Sequence, residues 1–370
     1  MSLDVLFVLS RNNIEIEAVK SSNLTKIFKN INFIEPILYK NTELNIPQPI
    51  ELGSMLVNVD IINSFVKNIN SNEELKNSIE NKNYFVLSFV NFLKTIETNV
   101  DGVKQLKTYD AVNVHLFNNG TFTYTIGGLA NVPEIYIEEL KSVSKPIFQV
   151  QEGANEGVSN KDIVIGCDKS LSSLIAEIKN VPEDNWCKEF NNFDRIQQIR
   201  ETLNNIDYKS LIINFLKTYD SLDITKCFTN ITYKNMLNIT ITKRLLQFTK
   251  QHNIEIDYVS AAEENGIMLG VFISDILGVP FVPIKYHSEC LTETYDYDSY
   301  KVQQNSMENN KVVLIVDDII TNGVKQKSIH SVLNFFFPRV SLFFTLGLFE
   351  NELENIKDHM GVLFNNIITL

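Results

Sequence analysis

Apolar residues along this chain fall into two patterns, and segments of each kind alternate. Residues 4–9 read as a first buried strand, and Val312–Val316 is apolar at five successive positions. A run without alternation suits a strand buried on both faces of a parallel sheet. Other segments repeat at helical spacing. Ile14–Phe28 predicts an amphipathic helix. Ile196, Ile199, Leu203, Ile206, Leu211, Ile212, Phe215 and Leu216 predict another from Arg195 to Tyr219. Between them lie short strands and helices at Ile34–Tyr39, Ser64–Asn68 and Tyr84–Thr95, a strand at Asp162–Cys167 and a helix at Ser170–Ile178. Pro133–Val143 reads as a helix with proline in its first turn. Val112–Phe117 and Thr121–Ile126 flank Asn118-Asn119-Gly120, a strong hairpin signal.

The most informative stretch is Lys311–Ser328. Its buried run leads into Asp317 and Asp318. Burying two carboxylates is costly unless they meet a polar ligand or a cation. Thr321-Asn322-Gly323 then forms a turn, and a helical pattern begins at about Lys325 and continues over Lys327–Phe337. The N–H groups at such a helix start form an anion site. A ligand with a phosphate and two adjacent hydroxyls would fit. An ordinary strand ending in a solvated Asp pair is the plainer alternative. Upstream, Ile256–Ser260, Ala261–Gly266, Ile267–Leu277 and Phe281–Lys285 predict strand, loop, helix and strand, with Gly278 as the helix C-cap. This is the crossover that builds a parallel sheet. Val340–Phe349 predicts a further strand.

Length and charge narrow the function. A chain of 370 residues can hold two cores, and the polar segment Val181–Arg195 is the expected boundary, giving domains 1–180 and 195–370. A net charge of −12 without a basic run argues against nucleic acid or an anionic membrane as partner. The four cysteines, Cys167, Cys187, Cys227 and Cys290, form no CxxC pair, so free thiols in a reducing compartment are expected. Neither a signal peptide nor a membrane-length apolar run is visible, so a cytoplasmic protein is expected.

Residues 311–328 resemble the phosphoribosyl pyrophosphate (PRPP) motif of the type I phosphoribosyltransferases. Leu314, Ile315, Val316, Asp317, Asp318, Ile319, Ile320, Thr321 and Gly323 match it. Glu263, Gly266, Leu269, Gly270, Leu277, Gly278, Phe281, Val282 and Pro283 are similar to the adenine phosphoribosyltransferases. So is Lys226–Met236, through Phe228, Ile231 and Thr232, with Asn230 for the usual Asp. The resemblance implies a parallel sheet flanked by helices. It implies an active site of Asp317, Asp318 and Glu263, with PRPP held by Thr321, Asn322, Gly323, Val324, Lys325, Asn265, Gly266 and Lys285. Phe228 would lie beside the base. Mg²⁺ would be met by Asp317 and Asp318 indirectly, through ribose or water. His287–Asn310 would be a polar hood loop over the reaction, and a homodimer is expected.

Three departures weigh on this. Val324 and Lys325 stand where a small hydroxyl residue usually binds the 5′-phosphate, and Lys325 could restore positive charge there. Asn265 replaces an Arg at the pyrophosphate. Lys285 also fits a lysine that lays its stem along a strand end, and Phe228 an otherwise exposed loop. The N-terminal half is similar to the inosine/xanthosine triphosphate pyrophosphatases through Ser10, Asn12, Ile16, Glu17, Ala18 and Val19. It shares the order of the hairpin, Gly127-Gly128 and Val132-Pro133. Glu15, however, occupies the position of a phosphate-gripping Lys, and no metal-binding Glu stands near Val90 and Asn91. That implies an α/β domain without hydrolase activity. The C-terminal half then implies transfer of a phosphoribosyl group from PRPP to a purine base. The alternative is a non-catalytic nucleotide or PRPP sensor on the same fold.

Overall fold

The computed structural model of the chain describes residues 4–36, 51–79, 82–100, 103–132, 144–148, 164–167, 192–218, 223–262, 265–286, 293–348 and 350–369. Two compact units make up the chain, Met1–Leu211 and Ile212–Leu370. The helices expected at Pro133–Val143 and Ser170–Ile178 lie outside the described residues.

The N-terminal unit is built on a five-stranded sheet. Its strands are β1 (Val5–Leu9), β2 (Asn30–Ile34), β3 (Tyr84–Val100), β4 (Val103–Asn118) and β5 (Thr121–Asn131), in the order β2-β1-β3-β4-β5. β1 runs parallel to β2 and β3, and β3, β4 and β5 run antiparallel. Every residue of β1 is buried. Val5, Phe7 and Leu9 pack with Val57, Ile61 and Phe65 of one helix, while Leu6 and Val8 are buried on the opposite face. That helix spans Glu51–Ser71, so the segment Ser64–Asn68 lies inside one long helix rather than forming a short element. The β4–β5 hairpin forms as expected, with Asn119 and Gly120 both at positive φ. Strands β6 (Ser144–Phe148) and β7 (Val164–Cys167) form a separate antiparallel pair.

Helix α1 spans Asn13–Ser21 and is capped by the side chain of Asn12. It stops seven residues before the expected end at Phe28, because Ser22 is extended and its hydroxyl donates to the carbonyl of Val19. The helix expected over Arg195–Tyr219 is likewise two helices, Asn192–Asn204 and Lys209–Lys217. The side chain of Asp207 breaks it by accepting from the Lys209 N–H. The first piece packs on the N-terminal sheet. Arg195 donates to Asp110 on β4 at 3.0 Å and to Asn91 on β3 at 3.2 Å, with both charged side chains buried. Thr202 sits so close to Gly127 of β5 that a Cβ there would meet its Oγ1 at 2.1 Å. The division between units therefore falls after Leu211 and not within Val181–Arg195.

Beside this ion pair, Glu15 of α1 is buried and accepts from the hydroxyl of Ser10 at 2.5 Å. Burial raises it to about 7 from an ordinary 4.5, against the smaller opposing effects of Ser10 and the Arg195 charge. The native protein then holds this proton more tightly than the unfolded chain does. Its contribution to stability is complete below about 4.5 and is lost as pH rises through about 7. Glu15→Gln is expected to flatten that fall, by roughly 3 kcal/mol at about pH 8. Denaturant unfolding at about pH 5 and pH 8 checks this, and equal slopes in the two proteins contradict it.

The C-terminal unit holds a seven-stranded sheet. Its strands are β8 (Tyr258–Ala262), β9 (Phe281–Tyr286), β10 (Thr294–Tyr297), β11 (Tyr300–Gln303), β12 (Val312–Ile320), β13 (Val340–Leu348) and β14 (Ile367–Thr369). The order is β10-β11-β9-β8-β12-β13-β14, parallel from β9 to β14. Val312–Val316 is buried throughout, as its apolar run predicts. Val313 and Ile315 pack with Ile329, Val332 and Leu333 of helix α2 (Val324–Leu333) and with Ile356 and Met360 beyond it. A crossover helix, Asn265–Leu277, connects β8 to β9. Gly270 lets that helix close on the sheet, since a Cβ would lie 2.7 Å from Phe281 and 2.9 Å from Ala261. Gly278 ends it at positive φ.

By composition His287–Asn310 reads as a polar loop. Its described part is instead an antiparallel hairpin, β10–β11, added to the edge of β9. Asp298 and Ser299 turn it with both residues at positive φ, and the hydroxyl of Ser328 donates to Asp298 at 3.0 Å. Tyr295 stacks on Phe335 at 4.9 Å. Aromatic packing and an added strand edge account for the order of this polar segment.

Candidate functional site

β8 pairs with β12 only as far as Val316, while β13 accompanies β12 to Ile320. Asp317 and Asp318 thus stand past the carboxyl end of β8 but still inside β12. The expectation that they end the strand is corrected by β13, which still pairs beside Asp317, Ile319 and Ile320.

Asp317 meets the first turn of α2. Its Oδ1 accepts from Lys325 Nζ at 3.0 Å and from the Asp318 N–H at 3.1 Å. Its Oδ2 accepts from the Gln326 amide at 2.6 Å. Asp318 meets the crossover helix: its Oδ2 accepts from the Asn265 amide at 3.0 Å, and its Oδ1 from the Ile319 N–H at 2.9 Å. The hydroxyl of Thr345 on β13 donates to the Asp318 carbonyl at 2.9 Å. Asp317 is only 3% exposed, whereas Asp318 is half-buried. Burial raises Asp317 from 3.8 to about 6; Lys325 opposes that rise and Asp318 adds to it. Asp317 is therefore a carboxylate at neutral pH that loses its charge as pH falls through about 6.

The turn after β12 leaves Thr321 and Asn322 exposed and Gly323 buried. Gly323 has φ 80°, and a Cβ there would lie 2.8 Å from Met360 Cγ, so this position requires glycine. Asn322 accepts from the Val324 N–H at 3.1 Å, which closes the turn from its own side chain. Val324, which opens α2, is exposed.

The structure places the sequence-predicted residues unevenly. Asp317, Asp318, Asn265, Gly266 and Lys325 come together. Lys325 bonds Asp317 instead of projecting freely toward a phosphate, and Asn265 bonds Asp318 instead of standing free for pyrophosphate. Gly266 lies beneath the pair, where a Cβ would approach Asp317 Oδ1 at 3.2 Å. Lys285 is half-buried on β9 and lies opposite Lys301 of β11. Phe228 packs edge-to-face on Phe272 of the crossover helix at 5.1 Å. The neighbouring Asn230 caps the helix Ile231–His252 by accepting from the N–H groups of Thr232 and Tyr233. This Asn keeps the capping oxygen that an Asp would supply. Glu263 lies outside the described residues.

Gln326 is the site residue that sequence reasoning missed. It is buried, and its contact with Asp317 spans the turn, outside the matched motif. Tyr300 also belongs near the pair. Burial first, then Tyr286, Asp317 and Asp298, raise its hydroxyl. No group of three or more His, Cys, Asp or Glu side chains among the described residues could enclose a metal ion. No described helix is long and apolar enough to cross a membrane.

No protein-family model matches the chain. Adenine phosphoribosyltransferase 1 of Saccharomyces cerevisiae is 36% identical over 78 residues, 19% of this chain and 42% of that protein. The adenine phosphoribosyltransferase of Caenorhabditis elegans is 29% identical over 145 residues, 35% of this chain and 71% of that protein. A solved structure of the Trypanosoma brucei adenine phosphoribosyltransferase, in complex with AMP, pyrophosphate and ribose-5-phosphate, is 18% identical. It covers 40% of this chain and 66% of that one, with a TM-score of 0.32. The chain thus spans less than half the length of the yeast relative. It contains a region similar to the type I phosphoribosyltransferases.

Proposed function

We propose that the C-terminal unit transfers a phosphoribosyl group from PRPP to a purine base, giving a nucleoside monophosphate and pyrophosphate. One observation carries this most: the adjacent carboxylates Asp317 and Asp318 stand past the carboxyl end of β8, in the last residues of β12 before a glycine turn and a helix N-terminus. The likeness of this chain to the nematode adenine phosphoribosyltransferase supports adenine as the base.

In the proposed reaction the bond from ribose C1 to pyrophosphate breaks, and its electron pair leaves with the pyrophosphate. A ring nitrogen of the base forms the new bond to C1, and its proton passes to solvent. Positive charge develops on the ribose ring between these events. Asp317 and Asp318 favour that charge and accept hydrogen bonds from the ribose hydroxyls, which also fixes the ring's orientation. The Gly323 turn and the first N–H groups of α2 receive the 5′-phosphate.

Mg²⁺ would neutralise the leaving pyrophosphate. Asp318 is the half-buried carboxylate that would meet a metal-bound water. Asp317, wrapped by Lys325 and Gln326, would serve the ribose.

Conversion of radiolabelled adenine to AMP, dependent on PRPP and Mg²⁺, tests the proposal on the full chain. Product formation that disappears without PRPP is the expected result. Binding of PRPP without any turnover on a panel of purines would return the reading to a non-catalytic sensor.

A further inference from the structure

We propose that Lys325 makes ribose recognition conditional on a phosphate: it occupies Asp317 until a phosphorylated ligand draws it away. This inference rests on the proposed ribose-phosphate site and deepens it.

Both oxygens of Asp317 already have internal donors. Gln326 is buried and held at 2.6 Å, so it is a fixed partner. The Asp318 N–H belongs to the strand and is fixed as well. Lys325 differs from both. Its side chain is 33% exposed against 4% for Asp317, and it carries its charge on a flexible stem. It is the donor that can leave at low cost. A ribose hydroxyl approaching Oδ1 must compete with this ammonium, and a neutral hydroxyl is the weaker partner for a carboxylate.

Lys325 is also the second residue of α2, directly after the turn of Thr321–Gly323. A phosphate held by that turn would offer Lys325 a dianion in place of a partly buried monoanion. The lysine would move, Asp317 would open to the ribose hydroxyls, and the two recognition events would be coupled. A ribose without a phosphate gives Lys325 no reason to leave. On this account the lysine is a specificity-determining residue, and its effect has opposite signs for two ligands that differ only in a phosphate.

Calorimetric titration of AMP and adenosine into the full chain tests this, at about pH 8 so that Asp317 is ionised. The wild type is expected to prefer AMP over adenosine by at least roughly a hundredfold. Lys325→Met should weaken AMP about tenfold or more and tighten adenosine severalfold, so that the preference collapses. Lys325→Arg should keep the preference, because it keeps the charge. Equal weakening of both ligands in Lys325→Met would show a merely structural lysine and overturn the inference while leaving the site intact. An unchanged ratio would overturn it as well. Failure of the wild type to bind either AMP or PRPP would overturn both the inference and the site it rests on.

Discussion

Replacing Arg195 with methionine is expected to destabilise the N-terminal unit by about 3–5 kcal/mol. Arg195 donates to Asp110 at 3.0 Å with both side chains nearly out of solvent, and it also holds Asn91 on the neighbouring strand. The pair cost desolvation when it formed, so the intact pair is not itself a large source of stability. Breaking it is different. Asp110, itself buried, would lose the guanidinium that compensates its charge. Weaker ties add to the pair: Asn204 accepts from the Asn23 N–H, after α1, and Thr123 of β5 donates to the Asp207 carbonyl, each at 2.7 Å. Urea unfolding followed by far-ultraviolet dichroism reads the loss. A second substitution, Asp110→Leu in the Arg195→Met background, should recover much of it, because an apolar pair leaves no unpaired charge. A loss below about 1 kcal/mol in the single variant would contradict the account of this helix as an integral part of the N-terminal unit.

The second large effect concerns the acidic pair. Asp317→Asn and Asp318→Asn are each expected to weaken PRPP roughly ten- to a hundredfold, since a hydrogen bond to a charged group is worth about 1.5–3 kcal/mol. Stability should move the other way or stay level in Asp317→Asn. Burial raises this carboxyl to about 6, so the folded protein bears a cost for its charge that grows as pH rises from 3.8 through 6. An amide removes that cost, while its oxygen can still accept from Gln326. The same shift sets the pH dependence of binding. Affinity of the wild type for PRPP should rise as pH passes about 6, where Asp317 ionises, and this step should vanish in Asp317→Asn.

Much of the C-terminal unit was legible because its elements are specified locally. Val312–Val316 reads as a strand buried on both faces, and the order of strand, acidic pair, glycine turn and helix follows from consecutive residues. Gly278 and the Asn119-Gly120 turn carry backbone conformations that few other residues favour. The misreadings share a different cause: they depend on partners distant in sequence. Arg195 reads as one more polar residue of a linker until Asp110 is known to face it. His287–Asn310 is polar by composition, yet its tyrosines pack on the sheet and on Phe335, an outcome set by tertiary contact rather than by the segment itself. Lys325 and Gln326 read as surface residues of a helix, and only the register of α2 against β12 aims both at Asp317.

Calorimetric titration of PRPP, at matched Mg²⁺, into the wild type, Asp317→Asn and Asp318→Asn tests the central claim most directly. The account predicts saturable binding by the wild type and a loss of roughly ten- to a hundredfold in each variant, with the melting transition retained. Equal PRPP affinity in all three proteins would contradict it.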